Sequence, residues 1–195
     1  MTAGDQPTDQ ALVGAAVAGD RGALEQLLRR HHERIAAVCR RMTGNAADGA
    51  DATQEALIAI VRGLDRFDGR STFGTWAYRI AVNASLDEMR RRRRRPADSL
   101  DQSDRERPEA SVDASDGAVV DRLALGPALA ALPEDFRAAV VLRDIGDLDY
   151  AEIAEVLGVA VGTVKSRIAR GRALLTKQLG NRDGEQERPT SGRDE

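Results

Sequence analysis

Two stretches of the sequence carry side chains suited to holding a polyanion. Arg90 to Arg95 is an unbroken run of six arginines. Adjacent guanidinium groups repel one another, so a polyanionic partner accounts for them better than a solvated face or a loose arm. Asn83 and Trp76 stand seven and fourteen residues before Arg90. A step of seven drifts only about 20° around a helix, so Trp76, Asn83 and Arg90 share an edge, with Arg79 beside them. An amide reads base edges and guanidinium groups hold phosphates, while a ring among basic neighbours gives an unstacked base a surface to lie against. Plain core packing accounts for Trp76 equally well. The second stretch, Val161 to Gln178, holds Lys165, Arg167, Arg170, Arg172 and Lys177 and no acid. Thr163, Lys165, Ser166, Arg167, Arg170 and Arg172 form one exposed face there and offer donors for phosphates and guanine edges.

The residues of catalysis are missing by contrast. The chain has no glycine-rich phosphate loop, no paired-cysteine metal site and no nucleophile set, so no enzyme, metal site, cofactor or small-molecule substrate is expected. His31 and His32 are neighbours and point about 100° apart on a helix, a poor geometry for shared ligation. Cys39 is the single cysteine, which rules out an internal disulfide and suits a reducing compartment. It reads as a small buried apolar residue, with a redox role left open.

The elements that must position the two basic stretches are helices. Thr8 caps a short first helix carrying Leu12, Val13, Ala16 and Val17. Asp20 caps a longer one whose apolar stripe is Leu24, Leu27, Leu28, His31, Ile35, Val38 and Met42, ending at Thr43-Gly44-Asn45. A third begins near Ala47 and buries Ala56, Leu57, Ile60, Val61 and Leu64. Its polar side shows Asp51, Gln54 and Glu55, either a solvated face or a face for docking a protein. After a turn at Asp68-Gly69, Ser71 caps a fourth helix that runs from Thr72 into the arginine run, until Pro96 ends it.

Residues 96–120 differ in kind. They hold seven acids against Arg105 and Arg107 and show almost no apolar periodicity, which predicts a flexible acidic linker. A second helical unit follows over residues 121–179. Its helices carry Leu123, Leu129 and Leu132, then Phe136, Val140 and Leu142, broken by Gly146. Asp149 and Glu152 form a capping box for the next helix. Ala154, Gly158 and Val164 fall where a helix-turn-helix needs a small residue, a turn glycine and a branched apolar residue, with Ile153, Leu157, Val159 and Ile168 completing its core. Residues 180–195 read as a disordered tail.

Composition agrees. Aromatics make up 3% of the 195 residues and charged residues 31%, which favours an all-α chain of two small domains over a large aromatic core. The net charge of −3 hides the local basic fields because the acids gather elsewhere. No apolar run reaches the roughly 20 residues of a membrane span, and the polar start has no signal-peptide core, so a soluble cytoplasmic protein without membrane insertion is expected.

Two linked blocks resemble the extracytoplasmic-function (ECF) sigma factors of bacteria. Asp51-Ala52-Thr53-Gln54-Glu55-Ala56-Leu57 and Phe67-Asp68-Gly69-Arg70-Ser71-Thr72-Phe73-Gly74-Thr75-Trp76-Ala77-Tyr78-Arg79-Ile80-Ala81-Val82-Asn83 resemble their region two, over residues 10–95. Leu132-Pro133-Glu134-Asp135-Phe136-Arg137, Tyr150-Ala151-Glu152-Ile153-Ala154 and Gly158-Val159-Ala160-Val161-Gly162-Thr163-Val164-Lys165-Ser166-Arg167 resemble region four, over residues 121–179. Leu57 stands where the family often has an aromatic, Ala160 where proline often opens the recognition helix, and Ala77 where leucine is usual.

The resemblance implies a subunit that binds core RNA polymerase (beta and beta-prime subunits), selects promoters and promotes melting for transcription initiation, in response to stress or envelope signals. It assigns Asp51, Gln54 and Glu55 to the polymerase clamp helices. It assigns the loop from Phe67 through Arg70 and Ser71 to Phe73 to capture of a base flipped from the melted minus-ten element. Trp76, Arg79, Asn83 and Arg90 belong to the same element, Asn83 touching bases at its start. Thr163, Lys165, Ser166, Arg167, Arg170 and Arg172 are assigned to the minus-thirty-five duplex. An anti-sigma factor is the implied regulatory partner. A conventional helix-turn-helix transcriptional regulator explains Tyr150 to Ala169 equally well, but leaves Phe67 to Asn83 and the arginine run without a purpose.

Overall fold

The computed structural model describes residues 6–94 and 125–186, with side chains as far as Gly180. Every regular element among them is helical. The first half contains α1 (Asp9–Val17), α2 (Arg21–Thr43), α3 (Ala46–Gly63), a 3-10 turn (Leu64–Arg66) and α4 (Phe73–Arg94). The second contains α5 (residues 125–130), α6 (Glu134–Asp144), α7 (Tyr150–Leu157) and α8 (Val161–Gln186). The expected acidic linker, together with Arg95 and Leu123, lies outside the described residues.

Local chemistry sets most helix ends. Thr8 caps α1 by accepting from the Ala11 amide. Asp20 accepts from the amides of Gly22 and Ala23, at 2.8 and 3.1 Å, satisfying two donors that the first turn of α2 cannot use. Gly44 ends α2 at φ 81°, a left-handed conformation that glycine takes without steric cost, and its amide returns to the Arg40 carbonyl. Asn45 then caps α3. At α4 the capping residue is Thr72 and not the expected Ser71. Its hydroxyl accepts from the Thr75 amide at 3.1 Å, and starting the helix one residue later turns the Phe73 ring into the core.

Helices α2, α3 and α4 form the body of the first half. Leu27, Ile35 and Met42 of α2, Ala56 and Ile60 of α3, and Ala77 of α4 are fully buried between them. The expected stripes are narrower in fact. Val17 is 54% exposed and Val61 43% exposed, while Leu57 is only half-buried. The cause on α3 is angular: Ala52, Ala56 and Ile60 share the line that meets its neighbours, and positions 57 and 61 lie about 100° away from it.

In the second half α6, α7 and α8 pack around Val141, Leu142, Ile153, Val164 and Ile168. The capping box at the start of α7 is present in both directions. Gly158 takes φ 65° and turns the chain into α8, and Ala154 is half-buried in the joint. Helix α8 continues to Gln186, past the stop expected near Leu179. A glycine such as Gly180 costs a helix only about 1 kcal/mol, and no proline interrupts this stretch.

The two halves meet. Helix α4 lies against α7, the end of α2 against α6, and the buried apolar cluster runs through both halves without a break.

Candidate nucleic-acid interfaces

The clearest architecture surrounds the N-terminus of α4. Phe67, Phe73 and Trp76 form an aromatic cluster, with ring centroids 6.0 Å apart for Phe67 and Phe73, 5.3 Å for Phe67 and Trp76, and 5.7 Å for Phe73 and Trp76. His31 of α2 stacks edge-on against Phe73 at 4.9 Å, and its Nε2 hydrogen-bonds to Asp9 at 2.7 Å. That pair ties α1 to the cluster. His32 is exposed, so the adjacent histidines face different surroundings. Phe67 and Phe73 of the cluster line an open cleft of about 1070 Å³, together with His31, Arg34, Gly69, Arg70, Ser71 and Thr75. The Arg70 side chain is 89% exposed and pairs with Asp68 at 3.1 Å. Aromatic rings and guanidinium groups lie side by side in it, together with the carboxylates of Asp9, Glu152 and Glu155.

Trp76 packs on the rings of the cluster and does not line the cleft. It is half-buried against Phe67 and Phe73, so it works first as a buttress of the loop. Further along the same edge Asn83 and Arg90 are exposed. Arg79 is not open: its Nη2 donates to Glu155 of α7 at 2.9 Å. The arginine run also differs from a simple repelling cluster. Successive arginines project around the helix and meet acids, Arg90 with Asp87 at 3.0 Å, Arg91 with Glu88, Arg92 with Asp48 at 2.7 Å and Arg93 with Glu134. The arginine side chains of these pairs remain about half-exposed or more, but only Arg90 and Asp87 are both well exposed, a pair worth under about 1 kcal/mol, while Glu88 beneath Arg91 is buried.

On α3, Asp51, Gln54 and Glu55 are all exposed on one polar face, and exposed Val61 extends that face by an apolar patch. Beneath it Cys39 is fully buried, and burial pushes its thiol above the ordinary value of 9.0, which keeps it protonated and unreactive.

The six donors expected on α8 do not share one face. Val164, Ile168 and Leu175 mark its buried line. At about 100° per residue, Ser166 and Arg170 point away from that line, with Thr163 and Arg167 on one flank and Lys165 and Arg172 on the other. Both flanks are held by acids of α6. Arg167 is 19% exposed and reaches Asp135 at 2.5 Å, while Arg172 pairs with Asp144, whose carboxylate raises the guanidinium pKa. The Lys165 ammonium lies 5.7 Å from the centre of the Tyr150 ring, and the Arg143 guanidinium lies 5.3 Å from it. Such cation–π contacts restrain long side chains that would otherwise sweep solvent. Asp135, Asp144 and Tyr150 thus support the basic helix, a role that their positions in sequence do not announce.

The chain matches two family models, Sigma-70 region 2 over residues 27–95 and Sigma-70, region 4 over residues 122–175. It is 40% identical over 173 residues to the ECF RNA polymerase sigma factor SigM of Mycobacterium tuberculosis, covering 89% of this chain and 85% of that one. It is 36% identical over 184 residues to the ECF RNA polymerase sigma-E factor of Escherichia coli, covering 90% and 96%. Among solved structures it is similar to CnrH in complex with the cytosolic domain of CnrY, with a TM-score of 0.68 and 27% identity over 89% of this chain and 97% of that one. It is also similar to the sigma factor RpoE of Bartonella quintana in complex with the anti-sigma factor NepR, with a TM-score of 0.66 and 25% identity over 80% and 96%. Helical body, ring-lined cleft, helix-turn-helix and these likenesses converge, and the chain belongs to the ECF sigma factors.

Proposed function

We propose that this chain joins core RNA polymerase and directs it to a set of promoters, residues 10–95 reading and melting the minus-ten element and residues 121–179 gripping the minus-thirty-five duplex. The observation that carries this reading is the cleft at the start of α4, with aromatic rings, Arg70 and Ser71 lining it and exposed Asn83 farther along the same helix. A protein that only grips duplex DNA has no need of it. Melting requires a pocket that stabilises an unpaired base and offsets unstacking, which costs a few kcal/mol. Helix α8 supplies the second contact, with Ser166 and Arg170 toward the groove and Thr163, Lys165, Arg167 and Arg172 on its flanks.

Asp51, Gln54 and Glu55 form the polymerase-docking face in this reading, and Val61 adds an apolar contact at its end. A regulator of the anti-sigma kind is the fitting inhibitory partner, since two similar proteins were solved with CnrY and NepR bound. None of the described helices is long and apolar enough to cross a membrane, so membrane signals would reach this chain through such a partner.

The test is reconstitution. Purified chain, sigma-free core polymerase and a promoter library should together yield specific transcripts. A chain that binds duplex sites but yields none is a conventional regulator. In the same assay Asn83→Ala should lower open-complex formation roughly tenfold, the worth of one good base contact, with core binding unchanged.

A further inference from the structure

Phe73 opens α4, so no preceding helical turn restricts its side chain, and neighbouring groups must fix the ring. Two of them, Phe67 and Trp76, belong to the loop and to α4 itself. The third comes from α2. His31 stands edge-on to Phe73, with ring centres 4.9 Å apart and planes at 63°. A methyl group at Gly74 would lie 3.8 Å from the His31 Cε1 and 4.0 Å from its Nδ1, so this side of the imidazole rests on the first turn of α4. His31, Phe67 and Phe73 all line the cleft.

The opposite side of the imidazole is anchored. Its Nε2 meets the Asp9 carboxylate at 2.7 Å, and because a carboxylate only accepts, Nε2 carries the hydrogen. The other Asp9 oxygen accepts from Arg30 Nη1 at 2.6 Å, and Arg30 Nη2 donates to the Pro7 carbonyl at 3.0 Å. The start of α1 is thereby clamped to two successive residues of α2. The His31 side chain is 14% exposed, so little solvent competes for its place. The bonds of the loop itself are local. Asp68 holds the Arg70 amide and guanidinium, both within the loop, and its anchored ends are the rings of Phe67 and Phe73.

We infer that His31, held in its orientation by Asp9, is a positioning residue for the cleft. It fixes the Phe73 ring, Phe73 steadies Phe67, and the two rings set the ends of the loop over residues 67–73. Edge-to-face ring contacts are directional, so an imidazole free to turn would no longer hold Phe73 in one place. A cleft set in advance meets an unpaired base without the entropic cost of ordering its own wall. In this role His31 acts through Phe73 and need not touch the base. The bracing stands on the contacts above, whereas its use in base capture rests on the minus-ten reading.

The chain has three phenylalanines, Phe67, Phe73 and Phe136. Fluorine NMR of the full chain labelled with 4-fluorophenylalanine therefore gives two signals from the cluster and a control from Phe136 of α6. Asp9→Ala leaves the imidazole unanchored, and His31→Leu removes it. Each should shift or broaden the cluster signals and leave that of Phe136 in place. Unmoved cluster signals in either variant overturn the bracing. His31→Gln covers the case in which circular dichroism shows those variants unfolded. It keeps an N–H for Asp9 and removes only the ring, and an unmoved Phe73 signal there overturns the bracing as well. On polymerase assembled with the full chain, Asp9→Ala and His31→Leu should each lower open-complex formation roughly two- to tenfold, the worth of one hydrogen bond, at unchanged core binding. Because the two residues act as one unit, the double variant should be no worse than the weaker single, and full addition overturns the pairing. Moved signals with undiminished open complexes overturn the positioning role where Asn83→Ala still lowers them. Where Asn83→Ala is also silent, the minus-ten reading has failed and the bracing loses that use.

Discussion

Two basic surfaces occur in this chain, on α4 and on α8, and their charges are balanced in different ways. On α8 the partners come from the same half: Asp135 holds Arg167, Asp144 holds Arg172, and the Tyr150 ring lies beside Lys165. These contacts orient the basic side chains while leaving Ser166 and Arg170 free to face a duplex. On α4 the decisive partner comes from the other half, through Glu155 on Arg79. A compensating charge within one half prepares a surface, whereas one from the other half covers it.

The contrast can be broken at several points. The largest effect is expected at the joint. Arg137→Met would strand two buried carbonyls and one half-buried one, and at about 1–3 kcal/mol for each buried group a loss of at least about 2 kcal/mol should appear in urea unfolding monitored by helicity. Next is Arg170→Ala, which removes an outward donor of α8. It should weaken binding to a minus-thirty-five duplex by about 1–3 kcal/mol in a titration at fixed salt, while minus-ten opening on a promoter already bound stays intact. Asp149→Ala removes half of the capping box of α7 and should cost about 1 kcal/mol of stability in the same unfolding experiment, loosening α7 where it meets both α8 and α4. The smallest change is expected from Asp135→Asn. Freeing Arg167 from an exposed partner should alter duplex affinity by less than about 1 kcal/mol. A larger loss would show that Asp135 does more than orient Arg167.

Much of this architecture could be read from the residues in order. The caps at Thr8, Asp20 and Asp149, the turns at Gly44 and Gly158 and the buried line through Ile153, Val164 and Ile168 all depend on neighbours within a few positions, and all of them appear in the folded chain. The sequence stripe on α3 is too wide at Val61 because periodicity marks an apolar side without telling how many helices will cover it. The donors of α8 were read as one face because residue type was followed in place of angle.

What the sequence by itself determined is the set of helices, the helix-turn-helix and the chemical character of each surface, because these follow from hydrogen bonds and side-chain spacing within one or two turns. Only the tertiary structure decided which of those charged groups meet solvent. Arg79 and Glu155 are 76 positions apart, and Arg137 and Met42 are 95 apart. No local pattern encodes such a pairing, since it exists only once the two halves have brought their buried faces together.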